Sequence, residues 1–285
     1  LQDELNHPSL AWANCRLKQR APLVSIVHHL RCSEARPRWQ NAVYRAIERR
    51  YLLSVDGFVF NSRTTRSAVE DLAGAGRPGV VAYPGGDRLI GISPSTSREH
   101  LGPEDMPLRL LYVGNLIPRK GLHVLLAALA RLQGIGWRLT VVGRIADTAY
   151  ARRVRRKGAR LGGGHVVWRG GVDDAALAGE MAAADVLVVP SSYEGFGIVY
   201  LEGMGFGLPA IGTTAGAAGE IITDGVDGFL VAPDDPRMLA DRLAGLADPA
   251  LRGRLNAAAR ARFHRHPTWE QTAAAVRSFL VSLIN

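Results

Sequence analysis

The feature that most limits what this chain can form is an alternation of two textures. Short apolar runs rich in β-branched residues are separated by longer stretches whose apolar positions recur every three or four residues. Pro22 to His29, Gly57 to Phe60 and Gly79 to Tyr83 read as buried strands, and Thr64 to Leu72 reads as a helix. Trp39, Val43, Ile47 and Tyr51 repeat every four residues and predict one apolar face of a second helix. Ahead of Pro22 the chain reads as a polar helical stretch through Lys18.

A segment carrying Pro94, Pro103, Pro107 and several serines follows, and then the alternation restarts. Strands are expected at Arg109 to Val113, Trp137 to Val142, His165 to Arg169, Val186 to Val189 and Pro209 to Gly212. The helices between them are expected at Gly121 to Gln133, Ala149 to Arg160, Asp174 to Ala183 and Gly197 to Phe206. Three helical stretches close the chain, the last from Trp269 to Leu283.

Such alternation builds parallel sheets with helices on their faces, and 285 residues are too many for one ordinary core. The expected class is α/β with two doubly wound, Rossmann-like domains. The first is residues 1–90, a linker runs over 91–107, the second is 108–268, and a closing helix is 269–285. Ligands of such sheets bind beyond the carboxyl ends of the strands, so each loop from strand to helix is a candidate site.

Composition narrows the function. A net charge of +9 favours polyanionic partners: nucleotides, nucleic acid or an anionic membrane. The densest basic run is Arg152, Arg153, Arg155, Arg156, Lys157 and Arg160, which reads first as a solvated helix face. No RNA-binding or helix-turn-helix signature accompanies it, so nucleic acid is not expected as a partner. No run of about 18 apolar residues occurs, so no transmembrane helix is expected. Cys15 and Cys32 match no zinc spacing and make no disulfide framework, which suits a cytoplasmic setting. The carboxylates form no Asp-x-Asp pair, so no metal site is implied, and Cys32 reads as an ordinary thiol.

Two loops carry the chemistry. Pro190-Ser191-Ser192-Tyr193-Glu194-Gly195-Phe196-Gly197-Ile198-Val199-Tyr200-Leu201-Glu202 joins a buried strand to a helix. Its glycines let backbone approach a ligand, and the N–H groups of Gly197 and Ile198 at the helix start suit a diphosphate. Glu202 lies about 6 Å further along the axis, where a carboxylate can accept both hydroxyls of a ribose. Glu194 precedes the helix, beside the junction of phosphate and sugar. The other loop, Val113-Gly114-Asn115-Leu116-Ile117-Pro118-Arg119-Lys120-Gly121, sets two cations at a second strand-to-helix turn.

These loops resemble the donor site of family-4 (group 1) glycosyltransferases, a large retaining family of the GT-B fold. The resemblance spans about residues 20 to 280 and includes Glu194 to Glu202, Gly207-Leu208-Pro209, Gly216, Gly219-Glu220 and Asp224 to Leu230. It implies two facing Rossmann-like domains, the first incomplete, with catalysis between them. It implies a donor site of Gly114, Asn115, Arg119, Lys120, Gly143, Arg144, Gly171, Val172, Ser191, Glu194, Gly195, Phe196, Gly197, Ile198 and Glu202. Within it, Lys120 and Arg119 neutralise the diphosphate, Gly171 and Val172 meet the nucleobase, Glu194 meets the sugar and Glu202 the ribose. Many relatives carry Arg where this chain has Asn115, so Arg119 is expected to supply the missing charge. His28, at the end of a first-domain strand, matches the family's catalytic-side histidine better than His29 does.

The expectation is a retaining transferase that takes sugar from a nucleotide-diphosphate sugar and uses no cofactor or metal. The alternatives are a donor-binding module without transferase activity and a nucleotide-sugar epimerase. The acceptor is left open among glycan, lipid-linked and small-molecule classes. The opening LQDELNHPSL has neither an initiator Met nor the layout of a secretory signal. The resemblance further implies an opening strand, a Gly-rich loop and further βα units that nothing before Pro22 supplies, so the chain is expected to begin partway into a longer protein, or to have its first sheet completed by another chain. An anionic inner-leaflet surface is a further expected partner, met by Arg31, Arg36, Arg38, Arg45, Arg49 and Arg50.

Overall fold

In a computed structural model, described for residues 1–4, 7–17, 21–34, 36–92, 107–161 and 165–284, the apolar runs become strands of two parallel sheets. In chain order the elements are β1 (Gln2–Asp3), α1 (His7–Leu17), β2 (Val24–Val27), α2 (Arg38–Leu52), β3 (Gly57–Phe60), α3 (Arg63–Ala73) and β4 (Gly79–Val81). Then come β5 (Leu108–Val113), α4 (Leu122–Leu129), β6 (Trp137–Val142), α5 (Thr148–Ala159), β7 (Val166–Gly170), α6 (Asp174–Ala183) and β8 (Val186–Val188). The chain continues with α7 (Ile198–Gly205), β9 (Ala210–Thr213), β10 (Gly228–Val231), α8 (Pro236–Gly245), α9 (Pro249–His264) and α10 (Trp269–Ser282). The chain divides into two units, Leu1–Gly85 with Tyr193–Phe196 and Pro267–Asn285, and Gly86–Ser192 with Gly197–His266. Residues 93–106 of the expected linker, and Lys18, lie outside the described residues.

The first unit has the strand order β1-β2-β3-β4, all parallel. Its strands alternate between two cores, as the two-residue period of a strand requires. Val27, Phe58 and Phe60 pack with Ala11, Tyr51, Leu52, Val69 and Leu72 from α1, α2 and α3. Val24, Val59 and Ala82 meet Val276, Phe279, Leu280 and Leu283 of α10 and its end. Those four residues follow the i, i+3, i+4, i+7 spacing of one helical face. Thr268 and Gln271 form a capping box at the start of α10, and Thr272 Oγ1 donates to the Tyr83 carbonyl at 2.6 Å.

Two readings of the first unit are corrected. Residues ahead of Pro22 supply more than a helix, because Gln2 and Asp3 pair in parallel with Ser25 and Ile26. Two residues carry no periodicity, so sequence pattern could not reveal this strand. The four-residue stripe on α2 is buried only at its end: Trp39 is 69% and Val43 52% exposed, whereas Tyr51 is 1% exposed. Steps of four residues overshoot a 3.6-residue turn by about 40° each, so Trp39 and Tyr51 lie on different sides of the helix.

The second unit has the order β10-β9-β8-β5-β6-β7, again all parallel. Read outward from β5, this is the doubly wound dinucleotide-binding arrangement, with helices on both faces. Its central runs, Leu110–Tyr112 and Val186–Val188, are buried continuously, as strands covered on both faces must be. α4 buries six of its eight residues. The Arg109 guanidinium donates to Asp185 at 2.6 and 3.0 Å and ties the start of β5 to that of β8. β10 was not anticipated from the sequence, where Gly228 to Leu230 sat inside a turn-rich segment.

Removing the α10 side chains should loosen the first sheet selectively. Phe279→Ala should cost about 2 kcal/mol, below the range for a fully buried Phe because the ring is half-buried. Hydrogen exchange should rise in β2, β3 and β4 and stay unchanged in β5 to β10; uniform change across both sheets would contradict this packing.

Candidate functional site

In the second sheet the chain leaves β5 toward β6 on one side and leaves β8 toward β9 on the other. The loops that follow β5 and β8 therefore diverge at the switch point, where doubly wound sheets open a crevice. These are the loops Val113 to Gly121 and Val189 to Gly197. They are joined by backbone, since the Ser192 N–H donates to the Arg119 carbonyl at 2.8 Å. Pro118–Lys120 forms a 3-10 turn, and Gly121 follows with φ of 70°. A Cβ on Gly121 would fall against the carbonyl oxygen of Pro190, so a left-handed φ and a close approach both demand glycine. A Cβ on Gly143 would likewise strike the carbonyl oxygen of Gly114.

Side chains of the expected donor site gather on this edge. The Lys120 stem runs along Gly114, where an added Cβ would stand 3.4 Å from Lys120 Cδ. Arg144 lies over Gly171, where an added Cβ would meet Arg144 Cγ at 2.8 Å. Asn115 is exposed, Arg119 and Lys120 are half-buried, and Val172 precedes the Asp173 cap of α6. Ser191 is buried, and its carbonyl accepts from Thr213 Oγ1 at 2.6 Å. Gly197 caps α7 in a left-handed conformation, and Ile198 opens the helix. The first N–H groups of a helix have no intrahelical acceptor and favour an anion.

Glu202 is 3% exposed, one turn into α7. Its Oε1 accepts from Arg88 Nε at 2.9 Å, and Arg88 Nη1 also donates to Asp174 at the start of α6. Burial pushes the Glu202 carboxyl above the usual range, while the Arg88 hydrogen bond and charge pull it back. Sequence reasoning missed Arg88, which lies 114 positions before Glu202 with no motif linking them.

The remaining expected residues belong to the first unit. Tyr193–Phe196 packs there: the Gly195 carbonyl accepts from Ser62 Oγ at 2.8 Å and Thr65 Oγ1 at 3.3 Å. The Phe196 ring lies 5.9 Å from that of Tyr83, and Glu194 is 5% exposed. His28 stands at the end of β2, its Nε2 3.7 Å from the Asp3 carboxylate and its N–H donating to Glu4 Oε2 at 3.1 Å. Asp3, Glu4 and His28 each bring a potential metal-ligating atom within 4.8 Å of the others. A search for an Asp-x-Asp pair could not find this group, because the pairing of β1 with β2 is what brings His28 beside the neighbouring Asp3 and Glu4. Burial raises the Glu4 carboxyl above the usual range, and the His28 N–H counteracts it. His29, in contrast, is 2.9 Å from Glu34, which also holds Arg36 at 2.6 Å.

The basic run on α5 has Tyr150, Ala151, Val154 and Gly158 buried, with Arg152, Arg153, Arg155, Arg156 and Arg160 exposed. Part of it is engaged locally: Arg155 lies 5.5 Å from the Trp168 ring and Lys157 donates to the His123 carbonyl at 3.0 Å. Among the described residues no helix is long and apolar enough to cross a membrane.

Residues 107–248 match the sequence profile of the family described as "Glycosyl transferases group 1". Glycogen synthase of Mycobacterium tuberculosis is 30% identical over 281 residues, which is 94% of this chain and 64% of that protein. The chain thus spans just under two thirds of that relative's length. Sucrose-phosphate synthase from Thermosynechococcus elongatus superposes with a TM-score of 0.82 at 26% identity, covering 96% of this chain and 71% of that one. HepE from Anabaena, solved in complex with UDP-glucose, gives a TM-score of 0.78 at 22% identity over 96% of this chain and 76% of that one.

Cys32, four positions after His28, sits in an environment that disfavours its thiolate. Burial, then the hydrogen bond and charge of Glu48, push its thiol up to about 12. Glu48 is 2% exposed and also accepts the N–H groups of Arg31 at 2.6 Å and Cys32 at 3.2 Å. In a Cys15→Ser background, alkylation of Cys32 at pH 8 should run about a hundredfold or more slower than that of free cysteine, because the thiolate is the nucleophile. Alkylation at the free-cysteine rate would contradict this environment.

Proposed function

The chain belongs to the group 1 glycosyltransferases and has their GT-B fold, and from that premise we propose that it binds a nucleotide-diphosphate sugar and transfers the sugar with retention. The observation that carries this reading is the pair of anion-suited loops, ending at Gly121 and Gly197, on the two sides of the β5–β8 switch point. A cationic turn and a helix start there supply opposite charge to a diphosphate.

In this reading Lys120 and Arg119 neutralise the diphosphate, helped by Gly197 and Ile198, and the neutral Asn115 leaves the charge to Arg119. Gly143, Arg144, Gly171, Val172 and Ser191 shape the nucleoside side of the site. Glu202 accepts the ribose hydroxyls, and Glu194 with Gly195 and Phe196 meets the transferred sugar. Catalysis rests on positioning and on cations that meet the leaving-group charge, the leaving phosphate helping to deprotonate the acceptor. His28 acts on the sugar or acceptor side. Uridine diphosphate is the first nucleotide to try, given the UDP-glucose bound by HepE.

Calorimetry and nucleotide-release assays test these roles. Lys120→Ala should weaken nucleoside diphosphate binding by about 1.5–3 kcal/mol, the range for hydrogen bonds to charged groups, and hardly change nucleoside binding. Equal loss for both ligands would contradict the assignment.

Glu202→Ala should weaken nucleotide and nucleotide-sugar binding alike, because both contain the ribose. Glu194→Ala and His28→Ala should leave nucleotide affinity nearly intact and lower turnover by about 10²-fold. The reverse pattern would refute the placement, and an epimerised nucleotide sugar formed from donor alone would favour epimerase chemistry.

A further inference from the structure

We propose that Arg88 is the positioning residue of the ribose subsite: it fixes the Glu202 carboxylate so that the site distinguishes ribose from 2′-deoxyribose. The inference rests on the reading of Glu202 as the ribose acceptor and adds a residue to it.

Three observations within the second unit carry the proposal. Arg88 reaches Glu202 from the 3-10 turn Asp87–Leu89, far away in sequence, and its Nε donates to Oε1 at 2.9 Å. The Glu202 side chain is only 4% exposed, whereas that of Arg88 is 41% exposed, so the guanidinium stands on the open side of a buried carboxylate. Oε2 of Glu202 takes no hydrogen bond from any described residue. A carboxylate has about four acceptor sites, so one Arg88 contact leaves capacity for hydroxyls.

The other end of Arg88 makes the arrangement specific. Its Nη1 donates to Asp174, the first residue of α6, two positions after the Gly171-Val172 turn assigned to the nucleobase. Arg88 therefore links the loop that would hold the base to the carboxylate that would hold the ribose. The turn that carries Arg88 is itself seated on α7: an added Cβ on Gly86 would stand 2.6 Å from Leu201 side-chain atoms, and Leu89 is 1% exposed. A buried carboxylate without a partner is costly and tends to neutralise. Without Arg88, Glu202 would lose both its fixed rotamer and the charge that strengthens hydrogen bonds to hydroxyls.

The test measures binding of uridine, guanosine and adenosine diphosphates, each beside its 2′-deoxy counterpart, by calorimetry at pH 7.5. The wild-type chain should favour the ribonucleotide of its preferred base by about tenfold or more, the scale of a hydrogen bond to a charged group. Arg88→Ala should collapse that preference to within about twofold by weakening ribonucleotide binding most, with a smaller loss for the deoxynucleotide, which keeps only the 3′-hydroxyl contact. Arg88→Lys should restore part of it, and Asp174→Asn should lower it while the thermal unfolding midpoint holds. If Arg88→Ala fails to fold, Arg88→Gln and Asp174→Asn carry the comparison. A preference that survives these substitutions, or an equal loss for both sugars, overturns the role of Arg88 alone. A wild-type chain that binds the diphosphates without preferring ribose overturns the Glu202 assignment as well, and one that binds none overturns the donor site itself.

Discussion

The candidate site depends on backbone packed directly against backbone at the carboxyl edge of the second sheet. Gly121 sits so close to the Pro190 carbonyl, and Gly143 to the Gly114 carbonyl, that any Cβ would collide. The loops after β5, β6 and β8 are thereby fixed against one another before any side chain contributes. Rigid backbone of this kind suits a polyanion, because N–H groups and cations already aimed at a charge pay little reorganisation on binding. The sheet beneath supplies the rest of the constraint. Its order reverses at β5–β8, so the two anion-suited loops emerge on opposite sides of one switch point.

The first unit uses the same grammar differently. Its strands follow one another in order, so α1, α2 and α3 pack in one core. The opposite face is closed by α10, which arrives from the far end of the chain. Tyr193–Phe196 also belongs to this unit, so the segment carrying Glu194 is held by Ser62 and Thr65, while Glu202 rides on α7 in the second unit. Glu194 and Glu202 thus have separate structural supports.

What the sequence disclosed follows from physical range. The buried strands of the second sheet are continuous apolar runs, and Trp137–Val142 and the helix Asp174–Ala183 match their expected limits. The strand-to-helix turns at Gly121 and Gly197 were legible because glycine, cations and a helix start lie within a few residues. Pairings between distant segments were not. Arg88 with Glu202, Asp3 and Glu4 with His28, and Gly195 against His28 and His29 all depend on topology that no local pattern encodes. Trp39 and Val43 fooled the pattern for a different reason, since an apolar spacing of four slowly winds around a helix.

The most direct test of the central claim is a crystal structure of this chain with uridine diphosphate bound. The account predicts phosphate oxygens about 3 Å from Lys120 Nζ and from the N–H groups of Gly197 and Ile198. It also predicts the ribose hydroxyls on Glu202. A diphosphate bound away from the β5–β8 switch point, or one whose ribose ignores Glu202, would contradict it.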